Sequence, residues 1–178
     1  LTGCGPDPQT QLCDSLAASD LDPTRPEGLP GVSFEHVDGV KAVEACAAVA
    51  ANSNNPRHWF QYGRALDAID RPVEAFDWYL KAARAGHGVA QSNLGLMYDN
   101  GKGVAKDDAQ AVAWYRKAAE QGYAAAQNNL GVMYANGHGV AKDDAQAVAW
   151  YRKAAEQGLA VAQSNLGLMY ANGHGVAK

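Results

Sequence analysis

Two histidines and two pairs of aspartates stand at regular positions in the second half of the chain. His138 and His174 each lie in an Asn-Gly-His-Gly-Val segment, and Lys102 replaces the histidine in an earlier copy of it. A catalytic or metal-binding histidine is not expected to alternate with lysine, so both are predicted to be exposed loop residues. Asp107 and Asp108 are adjacent, and adjacent residues of a helix do not face each other. Helix capping is therefore expected from these carboxylates, not paired acid–base chemistry.

Other signatures of catalysis or cofactor binding are incomplete. The segment 99–103, Asp-Asn-Gly-Lys-Gly, lacks the alternating oxygen ligands and the downstream glutamate of a calcium loop. Its Gly-x-Gly pair has no third glycine, no preceding strand and no Lys-Ser/Thr to hold a phosphate. No grouping of serine, cysteine and histidine suggests a nucleophile with its base. The sequence predicts a noncatalytic protein with no cofactor and no metal site.

Composition favours a helical protein, and the distribution of charge argues against nucleic-acid binding. The 178 residues carry a formal net charge of −4, with a pI of about 5.7 and both signs interspersed. A nucleic-acid-binding protein usually concentrates positive charge, and this chain does not. No apolar run approaches the roughly 20 residues that a bilayer-spanning helix needs. Much of the apolar content is alanine, which favours closely packed helices.

Three cysteines, Cys4, Cys13 and Cys46, allow at most one internal disulfide and leave one thiol. The opening Leu-Thr-Gly-Cys matches the end of a bacterial lipoprotein signal, whose cysteine becomes lipidated after cleavage just before it. The charged and apolar parts of such a signal do not precede it in this sequence. Cys4 is therefore either a lipid anchor in a parent protein or an ordinary cysteine.

A repeat of 36 residues organises the second half of the chain. Residues 88–123 and 124–159 differ at seven positions, and a third copy runs over 160–178. Such periodicity predicts a solenoid, whose units bury their apolar faces against their neighbours. Each unit contains two helical stretches, the second beginning after an Asp cap and containing a Trp-Tyr pair. We interpret these aromatic pairs, and Met97, Met133 and Met169, as core residues; ligand stacking on the Trp-Tyr pairs is the alternative.

These units resemble the Sel1-like repeats, relatives of the tetratricopeptide repeats. The resemblance rests on Ala90, Leu94, Gly95, Tyr98, Gly101, Gly103, Val104, Asp107, Ala111, Trp114, Tyr115, Ala118, Ala119 and Gly122, which recur 36 residues later. It implies an all-α fold, a right-handed α-solenoid of antiparallel helix pairs. The first helix of each pair would line a concave groove. Sel1-like repeats are expected at 88–123 and 124–159, with a partial one at 160–178.

The first half of the chain has a different texture. Residues 53–87 resemble a tetratricopeptide unit, carried by Trp59, Gly63, Ala75, Tyr79 and Ala82. Residues 37–52 have helical spacing and are predicted to form an N-terminal cap helix. Residues 1–36, rich in proline, glycine and aspartate, are predicted to form an extended leader. This layout is similar to the leaders of exported bacterial Sel1-type proteins, and that similarity implies a disulfide between Cys13 and Cys46. Two free thiols in a cytosolic protein are the alternative.

Four of the seven differences between the full copies follow one line along the first helix. We expect this line, and the equivalent positions in the first half of the chain, to face the groove. The predicted partner-binding residues are therefore Arg57, Phe60, Arg64, Asp67, Val89, Ser92, Leu96, Asp99, Asn128, Val132, Ser164 and Leu168. Arg57 and Arg64, expected to be exposed, would hold an acidic or C-terminal carboxylate. Neutral drift after duplication is the alternative account of the line.

The function predicted from these features is a noncatalytic scaffold that binds a peptide or another protein in the groove. The alternative is a structural spacer that assembles through the open end of its repeats; an envelope hydrolase is a weaker one, since no nucleophile supports it. The resemblance also predicts a bacterial periplasmic or envelope location, with the cytoplasm as the alternative. We expect a monomer, with end-to-end association as the second possibility.

Overall fold

The computed structural model describes residues 7–28, 31–33 and 36–175. Within these residues the secondary structure is helical, apart from an isolated parallel bridge between Ser19 and Val32. The helices are α1 (Pro8–Ala17), α2 (Gly39–Asn52), α3 (Pro56–Ala68), α4 (Pro72–Arg84), α5 (Gly88–Asn100), α6 (Asp108–Glu120), α7 (Ala124–Asn136), α8 (Asp144–Glu156) and α9 (Ala160–Asn172). The all-α prediction is confirmed. No helix in this part of the chain is long and apolar enough to cross a bilayer.

The chain divides into two compact units, Leu1–Ala90 and Gln91–Lys178. In unit 1, α1 packs on α2 and α3, and α3 packs on α4. In unit 2, α6, α7, α8 and α9 pack in sequence, each on the next. Short connections between contacting helices make the neighbours antiparallel.

The sequence explains where α6 and α8 begin. Asp107 accepts a hydrogen bond from the backbone N–H of Gln110 at 3.0 Å, and Asp143 accepts one from Gln146 at 2.9 Å. Each aspartate therefore satisfies one of the backbone donors that a helix start leaves unpaired, as the capping prediction requires. The C-terminal end of α7 is Gly137, whose φ of 72° is left-handed and suits glycine.

Tyrosine rings seated on glycines join the two helices of each repeat. A Cβ on Gly63 would lie 2.9 Å from Tyr79 Cδ1, and one on Gly131 would lie 2.7 Å from Tyr151 Cδ1. Tyr79 is fully buried and Tyr151 is 4% exposed. Glycine is required here because any side chain would occupy the space of the ring. We call each such glycine a socket.

The other predicted core residues behave similarly. Met97, Met133 and Met169 are buried, which confirms their core assignment. Trp114 is nearly buried and packs its face against Lys117 Nζ, 4.2 Å from the ring centroid. A lysine over an indole is a favourable cation–π contact that still leaves the ammonium in water.

The leader departs from its predicted extended form, because residues 8–17 are the helix α1. Asp7 accepts hydrogen bonds from the backbone N–H groups of Gln9 and Thr10, both at 3.0 Å. Pro8 occupies the first helical position, where its missing N–H costs nothing. The Asp-Pro pair, which lies in the leader predicted to be extended, is thus a helix start.

Candidate interaction surfaces

Arg57, in the first turn of α3, is 8% exposed and forms an ion pair with Asp14 of α1. Asp14 is 1% exposed, and Gln61 Nε2 donates a second hydrogen bond to its Oδ1 at 2.8 Å. Burying charge is tolerated only where an opposite charge and hydrogen bonds replace water. α1 is therefore held on α3 by charges that satisfy each other.

Arg64, two turns further along α3, is 3% exposed. Its Nη1 donates to the carbonyl oxygen of Ala17 at 3.1 Å, and its Nη2 donates to the carbonyl oxygen of Val32. Burial lowers the pKa of Arg64, but a guanidinium remains protonated at physiological pH. The backbone N–H of Val32 also donates to the carbonyl of Ala18 at 2.8 Å. One arginine thus ties the end of α1 to residues 31–33.

A third polar contact anchors the segment after α1. His87 Nε2 lies 3.2 Å from Asp22 Oδ2, and the backbone N–H of Ala90 donates to His87 Nδ1 at 3.2 Å. Because Nδ1 accepts, the proton of the neutral ring lies on Nε2 and is donated to Asp22. Burial alone would raise the pKa of Asp22, but hydrogen bonds from His87 and Thr24 outweigh it and lower that pKa. Phe60 stacks on His87 with ring centroids 4.7 Å apart.

The prediction that Arg57 and Arg64 are exposed is therefore wrong, and Phe60, assigned to a partner with them, is buried as well. The N-terminal segment covers the two arginines, and Phe60 is 1% exposed beneath His87. Val89, two residues after His87, is also buried. Asp67 is half-buried on α3. The side chains of Arg57, Phe60 and Arg64 instead make their contacts within unit 1.

Cys13 of α1 and Cys46 of α2 form the disulfide that the resemblance implies, with Cα atoms 4.9 Å apart. Both residues are fully buried among Ala17, Ala42 and other apolar residues of α1 and α2. A covalent bond, an ion pair and an apolar cluster therefore hold α1 in place together. Disulfides of this kind are typical of proteins in oxidising compartments. Cys4, the candidate lipid anchor, lies outside the described residues.

The part of the predicted line that lies in unit 2 is largely accessible. Leu96 is 47% exposed and Leu168 is 60% exposed; Ser164 is exposed, and Ser92 and Val132 are half-buried. These residues occupy α5, α7 and α9, the first helix of each repeat. This accessible set is a candidate interaction surface, which we call the first-helix stripe.

Two members of the predicted line are engaged within the unit. Asn128 is only 7% exposed, and its Oδ1 accepts a hydrogen bond from Asn165 Nδ2 at 3.0 Å. Burial leaves Asn128 little surface for a partner, which corrects its assignment. Asp99 is half-buried, and Lys106 Nζ lies 3.6 Å from its Oδ1 while the Tyr115 hydroxyl donates to its Oδ2 at 3.4 Å.

A row of asparagines beside the stripe was missed by the sequence analysis. Asn93, Asn129 and Asn165 recur at the same repeat position, and each is half-buried. These asparagines are identical in every copy, so positions that vary between the copies do not include them. The signal that could have found them is an unvarying polar residue on a helix dominated by alanine, leucine and glycine. Asn165 Nδ2 donates to Asn128 Oδ1 at 3.0 Å and Asn129 Oδ1 accepts from Asn128 Nδ2 at 3.3 Å. Because a side-chain amide has two N–H groups and two lone pairs, each still has donors and acceptors for a polypeptide backbone.

Leu96, Val132 and Leu168 also share one repeat position, so an apolar row accompanies the amide row. A cleft of about 370 Å³ lies in unit 2, lined by residues of both rows, among them Val132, Asn165 and Leu168. His138 is exposed and His174 is half exposed on its side chain, as predicted for loop residues. In the described residues no three His, Cys, Asp or Glu side chains gather as metal ligands would.

Comparison with known proteins agrees with this architecture. The Sel1 repeat family matches at residues 43–87, 88–123, 124–159 and 160–178. A search of curated protein sequences gave no match. Among solved structures, a Sel1 repeat protein from Oxalobacter formigenes is 38% identical, with a TM-score of 0.68 over 79% of this chain and 63% of its own.

Two further solved structures are similar. A protective antigen of uropathogenic Escherichia coli with an SLR fold is 38% identical, with a TM-score of 0.61 over 80% of this chain and 29% of its own. Helicobacter pylori cysteine rich protein B is 29% identical, with a TM-score of 0.58 over 72% of this chain and 95% of its own. The chain therefore spans less than two thirds of the first two proteins.

These neighbours have the Sel1 solenoid fold, which confirms the predicted α-solenoid class. Proteins with such repeats are generally noncatalytic scaffolds for protein–protein interaction. The family match covers more than half of the sequence, in four consecutive segments. The chain belongs to the Sel1 repeat family.

Proposed function

We propose that this protein is a noncatalytic scaffold whose first-helix stripe in unit 2 binds an extended segment of a partner protein. The observation that carries the proposal is the pairing of two rows on the same helices. Leu96, Val132 and Leu168 offer apolar contacts, while Asn129 and Asn165 offer amides beside them. An extended peptide presents backbone N–H and C=O groups along with alternating side chains, and so matches both rows.

The stripe is built on helices that are already packed, which favours binding without a large ordering cost. Leu130 and Met133 of α7 are buried beneath it, with at most 1% exposure. The partner segment is expected to alternate apolar and polar side chains. It is not expected to be strongly acidic, because the arginines that were predicted to bind a carboxylate are covered. The alternative function, assembly through an end of the array, would use a surface other than the stripe.

We place this activity in the bacterial cell envelope. The disulfide between Cys13 and Cys46 and the bacterial neighbours support an oxidising compartment over the cytoplasm. Alkylation of the protein directly from cells tests this location. Both thiols should be protected from the reagent until a reductant is added to unfolded protein, whereas alkylation without reductant would place the protein in the cytoplasm.

The binding proposal is tested with Leu96→Asp/Leu168→Asp, which places two charges on the apolar row at exposed positions. Val73→Asp is the matched control, because Val73 is 64% exposed but lies on α4. Proteins captured from an envelope extract by the wild type are identified, purified and titrated against each variant. The proposal expects at least a tenfold loss of affinity for the stripe variant alone. Equal affinity for the stripe variant and the control would refute it.

A further inference from the structure

The repeats differ in one charged group beside the first-helix stripe. Asp99 of α5 occupies the repeat position that Ala135 occupies on α7. Lys106 Nζ lies 3.6 Å from Asp99 Oδ1, and the Tyr115 hydroxyl donates a hydrogen bond to Asp99 Oδ2 at 3.4 Å. In the repeat of residues 88–123, a lysine and a tyrosine therefore hold a carboxylate that belongs to the same repeat.

Both of these groups are retained in the repeat that lacks the carboxylate. Lys142 and Tyr151 stand 36 residues after Lys106 and Tyr115. The Lys142 side chain is 58% exposed, so its ammonium is accessible to a ligand. Burial raises the pKa of Tyr151, so its hydroxyl stays protonated at neutral pH and can donate a hydrogen bond. The repeat of residues 124–159 has thus lost the acceptor and kept both donors.

The retained donors share a cleft. Lys142 and Tyr151 both line the cleft of about 370 Å³ in unit 2, together with Ala135, and we call it the Tyr151 cleft. Because alanine at this position is smaller than aspartate, an outside group has room beside the two donors. Asn165 of the amide row and Leu168 of the first-helix stripe also line the cleft. A segment bound on the stripe therefore reaches it.

The helix face that forms this cleft also stays accessible inside the array. Leu168 and Asn172 of α9 line the Tyr151 cleft, and their counterparts on α7 are Val132 and Asn136. Val132 is half-buried and Asn136 is exposed, although α8 and α9 follow them in the chain. The accessibility of this face is therefore a property that a first helix has within the array.

One carboxylate of the chain already lines the cleft. Asp144 Oδ1 lies 3.8 Å from Lys142 Nζ, and Asp144 Oδ2 lies 3.7 Å from His174 Nδ1. The equivalent lysine of the preceding repeat, Lys106, lies 2.9 Å from Asp108 Oδ1 and still has the second carboxylate described above at 3.6 Å. Two carboxylates beside one lysine are therefore compatible with this arrangement.

We propose that the Tyr151 cleft binds a carboxylate of the partner segment, in the place that Asp99 fills in the preceding repeat. The Tyr151 hydroxyl donates to one carboxylate oxygen, and the Lys142 ammonium pairs with the other. The inference rests on the proposed function of the first-helix stripe and deepens it. It adds one carboxylate, at a fixed place, to a segment whose other side chains are uncharged.

The test uses three short peptides and isotopically labelled protein, with binding followed by the chemical shifts of backbone amide signals. The peptides are N-acetyl-Leu-Asp-Leu amide, its neutral counterpart N-acetyl-Leu-Asn-Leu amide, and N-acetyl-Leu-Asn-Leu with a free C-terminal carboxylate. Ala135→Asp is the decisive variant, because it supplies the carboxylate that the preceding repeat contains. Ala113→Asp is its matched control, at an exposed position of α6. Tyr151→Phe removes the donating hydroxyl but keeps the ring on Gly131.

We expect the aspartate peptide, the free-carboxylate peptide or both to bind the wild type and Ala113→Asp about tenfold more tightly than the neutral peptide. Ala135→Asp and Tyr151→Phe should remove that preference. Preference for the aspartate peptide alone identifies a side chain as the source of the carboxylate, and preference for the free-carboxylate peptide alone identifies a chain end.

No preference for either carboxylate up to about 20 mM peptide overturns the inference. A preference that persists in Ala135→Asp or in Tyr151→Phe overturns it as well. The proposed function of the stripe is then unaffected, because that proposal is judged by the loss of affinity in Leu96→Asp/Leu168→Asp.

Discussion

The socket glycines lead to a quantitative prediction, because one substitution at equivalent positions should change stability in opposite directions. Gly131→Ala and Gly167→Ala each replace a glycine in the middle of a 13-residue first helix. Alanine favours a helix over glycine by about 0.5–1 kcal/mol, and this gain is common to both positions. The difference between the two variants therefore reports what the added methyl group meets.

At Gly131 the methyl would stand 2.7 Å from both Tyr151 Cδ1 and Cε1, closer than carbon atoms approach in packed proteins. Overpacking of this kind costs about 1–3 kcal/mol. In a protein made of residues 1–178 alone, the methyl at Gly167 meets no described atom within 4 Å, so there the helix gain stands alone. Gly131→Ala should therefore be less stable than Gly167→Ala by about 1–3 kcal/mol, the overpacking cost itself.

Urea unfolding followed by circular dichroism at 222 nm measures this difference. With a slope of about 2 kcal/mol/M, the midpoints should differ by about 0.5–1.5 M. Equal slopes for the two variants would show that the same cooperative unit unfolds in both. Gly95→Ala should behave as Gly131→Ala does, because its methyl would also meet a buried tyrosine. Equal midpoints for Gly131→Ala and Gly167→Ala would refute the assignment of filled and empty sockets.

Three further predictions concern unit 1. Replacing Cys13 and Cys46 by alanine should lower the free energy of unfolding by about 3–4 kcal/mol, because the disulfide links residues 33 positions apart and restricts the unfolded chain. An unchanged urea midpoint would contradict this. Asp14→Ala should cost about 3–5 kcal/mol because it leaves Arg57 buried and unpaired, whereas Asp14→Leu with Arg57→Met should recover most of the loss; urea unfolding that shows no recovery would count against a buried pair. Burial and the Arg57 charge lower the pKa of His58 in the folded state. The contribution of His58 to the stability of the fold is therefore complete above about pH 6.5, the unfolded-state pKa, and is lost as the pH falls through the lower folded-state pKa. Thermal unfolding from pH 7.5 to 5 should show that decline in the wild type and less of it in His58→Gln.

The sequence predicted most of the repeat architecture, because its copies repeat the residues that decide each helix. Asp107 and Asp143 cap α6 and α8 as expected, and Gly137 ends α7. Periodicity is informative in a solenoid since each unit meets nearly the same neighbours. The pattern also placed Tyr115 in the core, where it is fully buried.

The leader was harder to predict because its contacts are made at long range. Pro8 and Asp7 are turn formers in most settings, yet here they cap and start α1. The sequence contained the signal, an acceptor followed by proline and then by Cys13 and Leu16 at helical spacing. What no local pattern reveals is that α1 lies on α2 and α3, since that depends on residues more than 30 positions away.

The error at Arg57 and Arg64 shows that the ligand of a side chain can lie in the same chain. Both arginines were expected to hold an acidic or C-terminal carboxylate of a partner. Arg57 does pair with a carboxylate, that of Asp14, whereas Arg64 donates to the carbonyl oxygens of Ala17 and Val32. Residues of the leader therefore contact the two arginines that were predicted to contact an external partner. Leu96 and Leu168 of unit 2 are exposed, so our binding proposal is placed on that unit.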